Sequence, residues 1–288
     1  MSGVVFIDGA VVDAGAARVP VFDRGFLYGD SVYEVLRTFA GTPHAFADHH
    51  RRLQGSAERI GMAVPGLAEV EAATASAIAR SGEPECYLRI IVTRGAGPIN
   101  LDPAAADAPR LIVFALPLRL PDPHLYEDGA TLALVGARRN APGSLDPMVK
   151  SGNYLNSVLA VAEARRKGAY EALMCDSVGR LAEGASSNLF IVKGGRIATP
   201  PLSIGLLPGI TRHLVMALGR RLGVYVDEKA LWPHDLFAAD EAFITSSVRG
   251  VMPIVRCDDA PIGSGRPGPV TLQIWAAYRE STEGRSQG

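Results

Sequence analysis

The sequence predicts an α+β protein with two domains. Strand-like and helix-like segments are mixed along the chain without the strict strand–helix–strand order of a doubly wound sheet. The 288 residues correspond to roughly two average domains. This length is enough to bury a core without disulfides or metals. Hydrophobic residues make up 48% of the chain and charged residues 20%, a globular composition that excludes a disordered chain.

The first part of the chain contains a predicted hairpin, two helices and two strands. The hairpin surrounds Asp8-Gly9, a favoured two-residue turn, with strands at 4–8 and 10–13. Leu53, Ala57 and Ile60 recur at helical spacing and predict a helix that begins at Asp48 as its N-cap. The other elements predicted in this part are a helix at 67–80 and strands at 87–94 and 110–118.

Prolines mark the expected domain boundary. Pro117, Pro121 and Pro123 lie in or beside residues 118–128. Because proline fixes φ and removes a donor, this stretch is expected to be an extended linker between domains at 1–117 and 129–288. The elements predicted in the second domain are strands at 131–135, 171–175, 188–192 and 241–245, and helices at 154–167, 211–222 and 269–278.

Charge and cysteine content exclude several classes of protein. The chain has 29 Lys and Arg against 30 Asp and Glu, so nucleic acid is not an expected partner. Cys86, Cys175 and Cys257 are odd in number and far apart, which argues against a disulfide framework or a thiolate zinc site and favours the cytoplasm. The longest apolar run, 111–118, is far shorter than the roughly 18 residues of a membrane helix. The start of the chain has no basic segment typical of a signal peptide. We therefore expect a soluble protein with no membrane partner and no metal.

Four places could carry chemistry. Lys150 precedes an apolar helix, where a desolvated amine would attack carbonyls, although a solvated lysine is the alternative. Residues 207–212 open a helix whose free amides suit a phosphate, with Gly209 allowing close approach; ordinary capping is the alternative. Glu183 could pair with a buried cationic ring or be an acid in a turn. Arg52 could bind a phosphate from a helix or be solvated.

Together these segments resemble the class IV pyridoxal-phosphate aminotransferases, also called fold type IV. This family includes branched-chain aminotransferases, D-amino-acid aminotransferases and aminodeoxychorismate lyases. The resemblance extends from residues 23–34 to residues 245–253. Five motifs stand in the order of the family: Tyr28-Gly29-Asp30, His49-x-x-Arg52-Leu53, Lys150-x-x-Asn153, Glu183-Gly-x-x-Ser-Asn188 and Pro208-Gly-Ile-Thr211. The resemblance implies a smaller N-terminal α/β domain, a larger β-rich domain with helices, and a homodimer.

The resemblance also implies a cofactor, pyridoxal 5′-phosphate (PLP), and a role for each matched residue. Lys150 would form the internal aldimine, and Glu183 would pair with the pyridine nitrogen and keep it protonated. The phosphate would be held by Arg52, Thr211, the amides of Ile210 and Thr211, and Ser247, and the phenolic oxygen by Tyr154. The residues expected to contact substrate are Tyr33, Tyr87, Arg89, Ser247 and Val248.

The motifs differ about the substrate. Tyr87-Leu-Arg89 resembles the Tyr-x-Arg of branched-chain enzymes, where these side chains help to arrange the site for the substrate's carboxylates, whereas Val35 is closer to the D-amino-acid enzymes. The Arg-x-His of the D-amino-acid enzymes is absent from residues 99–101, where it would be expected. The lyases are resembled by two other segments, residues 24–29 and 251–253. A transaminase for branched-chain-like L-amino acids and 2-oxo acids such as 2-oxoglutarate is favoured. The alternatives are a D-amino-acid transaminase and an aminodeoxychorismate lyase.

Arg89 has a structural alternative as well. The strand at 87–94 places Tyr87, Arg89 and Ile91 on one face, where Arg89 could bind a substrate carboxylate. It could instead pair with a carboxylate of the protein such as Glu34.

Overall fold

The chain forms two units in the computed structural model, which describes residues 2–106 and 108–283. The first unit comprises Met1–Arg119 and Val149–Asn153, and the second comprises Leu120–Met148 and Tyr154–Gly288. Both units contain helices and sheet, which confirms the α+β class. No helix of the described residues has the length and apolar character needed to cross a membrane.

The first unit is a six-stranded sheet in the order β2-β1-β6-β5-β3-β4. Its strands are β1 Val4–Ile7, β2 Ala10–Asp13, β3 Ser31–Phe39, β4 Thr42–Pro43, β5 Cys86–Thr93 and β6 Arg110–Pro117, and its helices are α1 Arg24–Tyr28, α2 Phe46–Arg59 and α3 Leu67–Ser81. Leu36 and Leu88 from the sheet, Leu53 from α2 and Val70 from α3 belong to one buried cluster, and all four are fully buried. The two long helices therefore cover one face of the sheet.

The other face of this sheet carries three of the predicted substrate residues. In the β3–β5 ladder, Tyr33 is paired with Ile91, Val35 with Arg89, and residue 37 with Tyr87. Paired residues of neighbouring strands point to the same face, so these side chains lie together, as alternation predicts. Arg89 and Tyr87 are half-buried and Tyr33 is buried.

The second unit contains a closed ring of six strands, β10-β13-β14-β7-β8-β9. The elements of this unit are α4 His124–Glu127, β7 Ala130–Arg138, α5 Leu155–Arg166, β8 Glu171–Cys175, β9 Leu181–Gly184, β10 Asn188–Lys193, β11 Arg196–Thr199, α6 Ile210–Arg221, β12 Val226–Glu228, α7 Pro233–Phe237, β13 Glu241–Ser246, β14 Gly250–Cys257, β15 Ala260–Pro261 and α8 Pro269–Glu283. Asn188 on β10 pairs with Glu183 on β9 and closes the ring.

Three apolar clusters hold the second unit together. One takes residues from all six strands of the ring and fills it: Leu132, Leu173, Leu181, Leu189, Ile244 and Met252. A second packs α6 and α8 against the outside of the ring through Phe190 and Phe243, whose rings stack 4.8 Å apart. A third packs α5 against β7 and β8 through small residues such as Ala160 and Ala164.

Two local expectations from the sequence are wrong. Helix α2 begins at Phe46 with Ala45 at the N-cap position, and Asp48 lies in the first turn. Phe46 packs against the core and so begins the helix earlier, while the Asp48 carboxylate accepts a hydrogen bond from Arg51 on the surface. The stretch 118–128, expected to be extended, contains the short helix α4.

Candidate active site

A buried carboxylate in the first unit holds Arg52. Glu34 lies on the helix-covered face of β3 and has no exposed surface. Arg52 donates from Nε to Glu34 Oε1 over 2.7 Å and from Nη2 to Oε2 over 2.6 Å. His49, one turn earlier on α2, hydrogen-bonds the same Oε2 at 2.7 Å. The Arg52 side chain is 10% exposed, so the solvated alternative is wrong.

The charge state of Glu34 follows from these partners. Burial alone would raise the pKa of Glu34, but the Arg52 charge and the hydrogen bonds from Arg52 and His49 outweigh it and lower the pKa to about 2. The carboxylate is therefore ionised at all ordinary pH values. Glu34 thus fixes the position of the Arg52 guanidinium and provides the negative charge that balances it.

Tyr33, the neighbour of Glu34, lies on the opposite face of β3 and contacts two cations. The Arg89 guanidinium carbon is 4.0 Å from the centre of the Tyr33 ring, and Lys150 Nζ is 4.5 Å from it. Both distances are those of cation–π contacts. The structure therefore brings three of the predicted residues together. It also contradicts the alternative for Arg89, because the carboxylate of Glu34 bonds Arg52 and His49 on the other face.

The backbone of the Lys150 segment is fixed to the same strand. The Lys150 carbonyl accepts a hydrogen bond from Tyr33 N at 2.9 Å, and Lys150 N donates to Ser56 Oγ at 3.1 Å. Asn153 Nδ2, from the same motif, donates to the Gly29 carbonyl. Gly29 has φ +66° and packs directly against Asn153, so the Tyr28-Gly29-Asp30 motif needs a residue without Cβ at this position.

Glu183 is the corresponding buried carboxylate of the second unit. Its Oε1 accepts a hydrogen bond from Arg139 Nε at 2.6 Å, and its Oε2 accepts from Asn188 Nδ2 at 3.2 Å and Leu207 N at 3.0 Å. Glu183 is 5% exposed and belongs to β9, so it is not an acid of a solvated turn. A carboxylate fixed in this way suits a cationic ring nitrogen.

The start of α6 lies beside Glu183 and suits a phosphate. The helix begins at Ile210 with Gly209 at the N-cap position, and Gly209 provides no side-chain oxygen for the first-turn amides. A Cβ at Gly209 would overlap Asn188 Oδ1, so only glycine allows this approach. Thr211 in the first turn is 3% exposed.

An unsatisfied hydroxyl supports a ligand in the same region. Thr245 Oγ1 is buried without a hydrogen-bond partner in the described part of the chain, and Thr245 is the register partner of Asn188. Buried hydroxyls are normally hydrogen-bonded, so this one indicates a missing acceptor. Within the second unit, the free amides of α6, the hydroxyls and the fixed Glu183 carboxylate fit the phosphate and the ring nitrogen of PLP. In the first unit, the amine of Lys150 is of the kind that reacts with the carbonyl carbon of PLP.

The remaining predicted residues lie on turns and helix ends. Ser247 and Val248 are half-buried in the turn between β13 and β14. Tyr154 is half-buried at the N-cap position of α5.

Sequence analysis missed the partners that hold these groups. Glu34, His49 and Arg139 each hydrogen-bond a predicted site residue or its partner. The role of Glu34 could have been found from the sequence, because it occupies the same face of the strand as the apolar residues Val32 and Leu36. A charged residue on a buried face must find a buried partner. Arg139 had none, because it lies in a stretch that has the composition of a loop.

The sequence and fold are similar to those of known aminotransferases. Residues 31–257 match the family Amino-transferase class IV. The chain is 32% identical over 281 residues to the branched-chain-amino-acid aminotransferase of Escherichia coli K12, with 95% of this chain and 91% of that protein covered. It is 31% identical over 278 residues to the D-alanine aminotransferase of Bacillus licheniformis, with 96% of both covered.

A solved structure shows the likeness of the folds. The branched-chain amino acid aminotransferase of T.th., complexed with N-(5′-phosphopyridoxyl)-L-glutamate, superposes with a TM-score of 0.92 at 32% identity, covering 99% of this chain and 95% of that chain. The same enzyme complexed with 4-methylvaleric acid superposes with a TM-score of 0.91.

The Glu34–Arg52 pair generates a stability prediction. Glu34→Gln keeps the shape but leaves a buried guanidinium without its counter-charge, so the free energy of unfolding should fall by about 3–5 kcal/mol. The pKa of Glu34 is lowered from 4.5 to about 2 on folding. The contribution of the ionised carboxylate to the free energy of unfolding is therefore complete above pH 4.5 and is lost as the pH falls towards 2. Urea denaturation should show a difference between wild type and variant that is constant from pH 7 to 5 and narrows towards pH 3. Glu58→Gln, on the exposed side of α2, is the control, and an equal effect of both changes would contradict the assignment.

Proposed function

This chain belongs to the class IV aminotransferases, which use PLP, and we propose that it transfers an amino group from branched-chain-like L-amino acids to 2-oxo acids such as 2-oxoglutarate. Membership follows from the family match at residues 31–257 and from relatives 31% and 32% identical along nearly the whole chain. The observation that carries the substrate proposal is the shared contact of Lys150 and Arg89 with the Tyr33 ring. This contact supports the proposal, because the amine proposed to react and the guanidinium proposed to bind a carboxylate both lie against one ring.

Bound PLP supplies a carbonyl carbon that takes up the amino group and a ring that withdraws electrons from the substrate's α-carbon. Lys150 would hold the cofactor covalently through Nζ. As a free amine, Lys150 would also act as the general base that removes the proton from the substrate's α-carbon. The hydrogen bonds that fix the Lys150 backbone to β3 and α2 would keep this amine in position for both tasks.

Glu183 would keep the ring nitrogen protonated. Both of its oxygens are already oriented by Arg139, Asn188 and Leu207, so the carboxylate would not need to reorganise when the cofactor binds. Arg52, Thr211, Ser247 and the amides of Ile210 and Thr211 would hold the phosphate, and Tyr154 would bond the phenolic oxygen. The uncapped start of α6 and the fixed charge of Arg52 support this assignment.

The substrate class is proposed from the open face of the first sheet. Stacking on Tyr33 orients the Arg89 guanidinium and leaves its edge for a carboxylate, while Ile91 and Val35 on the same face suit an aliphatic side chain. The T.th. relative has been solved with an L-glutamate adduct and with 4-methylvaleric acid, an acidic and a branched aliphatic ligand. A panel of L- and D-amino donors separates this proposal from the D-alanine aminotransferase activity named for the Bacillus relative.

The covalent role of Lys150 is tested by borohydride reduction. Wild-type protein should retain PLP after denaturation, with the added mass on the peptide containing residue 150. Lys150→Ala should lose this link and reduce kcat by at least about a thousandfold. Lys193→Ala, an exposed lysine of the second unit that pairs with Asp240, should keep both properties. A retained link in Lys150→Ala would place the attachment on another lysine.

Recognition of the acceptor is tested at Arg89. A lost charge-assisted bond is worth about 1.5–3 kcal/mol, so Arg89→Ala should lower kcat/KM for 2-oxoglutarate by roughly 10- to 100-fold and for pyruvate much less. Arg37→Ala is the matched control, since Arg37 lies on the same face and also stacks on an aromatic ring, Phe39, at 4.1 Å. Equal losses for both acceptors in Arg89→Ala would assign the residue a purely structural role.

A homodimer is proposed from exposed apolar surface. In the first unit, Val21, Phe22, Phe26, Ile99 and Leu101 are 54–79% exposed. Their two segments are adjacent, because Gly97 N donates to the Phe22 carbonyl. In the second unit, α5 exposes Leu155, Val158 and Leu159, each by more than half. Large apolar surfaces of this kind are normally covered by a partner, and closed twofold dimers are the commonest case.

Sedimentation velocity tests this assembly. Wild type should sediment as a dimer, and Phe26→Lys combined with Leu101→Lys should shift the equilibrium towards monomer because two charges would be buried in the interface. Val178→Lys, at an exposed apolar position outside both surfaces, should have no effect. A monomeric wild type would contradict the proposal.

The cytoplasm is the proposed compartment. All three cysteines are buried free thiols. Burial raises the pKa of the Cys257 thiol to about 12, so it remains protonated and inert. Cysteines used as small apolar core residues are typical of a reducing compartment.

A further inference from the structure

Arg249 connects three segments of the second unit. It follows Ser247 and Val248 in the turn between β13 and β14, and its Nε donates to Ser246 Oγ at 3.0 Å. Its Nη1 donates to Glu171 Oε2 at 2.8 Å. Its Nη2 donates to Ser186 Oγ at 2.7 Å and to the Ser186 carbonyl at 3.0 Å. One guanidinium therefore bonds its own turn, the first residue of β8 and the turn that follows Glu183.

The Arg249–Glu171 pair is shielded from solvent. The side chains are 14% and 3% exposed. Burial disfavours the charged guanidinium, but the Glu171 carboxylate and Tyr170 outweigh it and raise the pKa of Arg249 above its ordinary value. Glu171 Oε2 also accepts a hydrogen bond from Ser186 Oγ at 2.9 Å. These bonds form a closed network in which each member holds the others.

Both turns held by Arg249 carry residues of the proposed site. One follows Gly184, the last residue of β9 and the neighbour of Glu183, and the other contains Ser247 and Val248. The first turn is tightly packed, because a Cβ at Gly184 would overlap Ser187 Oγ. The backbone carbonyl of Arg249 also accepts a hydrogen bond from the Tyr126 hydroxyl at 2.9 Å, which fixes the second turn from another side.

We propose that Arg249 is a positioning residue that sets Ser247 and Val248 relative to Glu183, and so controls the affinity for both the cofactor phosphate and the substrate. Arg249 does this through Glu171 and Ser186, because each of its three guanidinium nitrogens already donates within the network. This inference rests on the PLP-dependent transaminase function given above.

The conservative variant Arg249→Lys tests the proposal. A lysine retains the positive charge, but all of its N–H donors are on one nitrogen. It therefore cannot bond Glu171, Ser186 and Ser246 together. The dissociation constant of PLP, measured by absorbance titration of the apoenzyme, should rise about tenfold or more. KM for the amino donor should rise by a similar factor, with kcat at saturation much less changed. Glu171→Gln should show the same pattern, because it weakens the same network from the other side.

Arg94→Lys is the matched control. Arg94 is 8% exposed and donates to Asp30 and to the carbonyls of Ile60 and Gly61, but it touches no residue of the proposed site. It should lower the melting temperature and leave the dissociation constant of PLP and KM unchanged. If Arg249→Lys behaves like Arg94→Lys, or binds PLP and substrate like wild type, the positioning role is refuted. A wild type that binds no PLP would instead refute the proposed function.

Discussion

The second unit depends on one strand pairing, that of Asn188 with Glu183. This pair closes the ring of six strands, and a closed ring leaves no edge within it. The same two residues point their side chains towards the start of α6, where Asn188 bonds Glu183 and the Leu207 carbonyl. Ring closure and site geometry are therefore set by one contact. A shift of β9 by one residue would turn Glu183 to the other side of the sheet and would also open the ring.

Three buried ion pairs orient residues at or beside the proposed site. Glu34 holds Arg52, Arg139 holds Glu183, and Glu171 holds Arg249. A buried charge is costly without a partner, and replacing such pairs by apolar residues often costs nothing in stability. Buried ion pairs also occur elsewhere, as between Arg94 and Asp30. These three differ in that each orients a predicted site residue or a residue beside one. Each pair removes the freedom of a long side chain before a ligand arrives, which lowers the entropic cost of binding.

The sequence predicted best those elements whose signal is local. The hairpin around Asp8-Gly9 and the helix from Leu67 are found nearly where periodicity and turn chemistry place them. The strand β3 was missed, although it is nine residues long and central to the first unit. Its sequence alternates, but Glu34 occupies a position of the buried face, and an isolated strand gives no indication that Arg52 and His49 will neutralise it. Long-range compensation of this kind is absent from local patterns.

The same limit applies to the proposed site. The motifs supplied Lys150, Glu183 and the start of α6, because their residue types are tied to chemistry. The ring-closing pair of Glu183 and Asn188 lies within one of these motifs, five positions apart. The partner Arg139 and the network of Arg249 instead join residues 44 and 78 positions apart in the sequence. No pattern within a segment encodes those pairings, which form only when the strands of the second unit come together.

The two faces of β3 carry different groups, a buried ion pair on one and predicted substrate residues on the other. Glu34 faces the helices and ties Arg52 into the core, whereas Tyr33, one residue earlier, faces the open side and contacts Arg89 and Lys150. Successive side chains of a strand point to opposite faces. The buried Glu34–Arg52 pair on one face therefore helps to fix the position of the Tyr33 ring on the other. The Tyr33 ring in turn contacts both cations and attracts each of them through its π-system. The polar core of the first unit is thus the support for its open face, and a change at Glu34 should reach Arg89 through the backbone of β3 rather than through any side-chain contact.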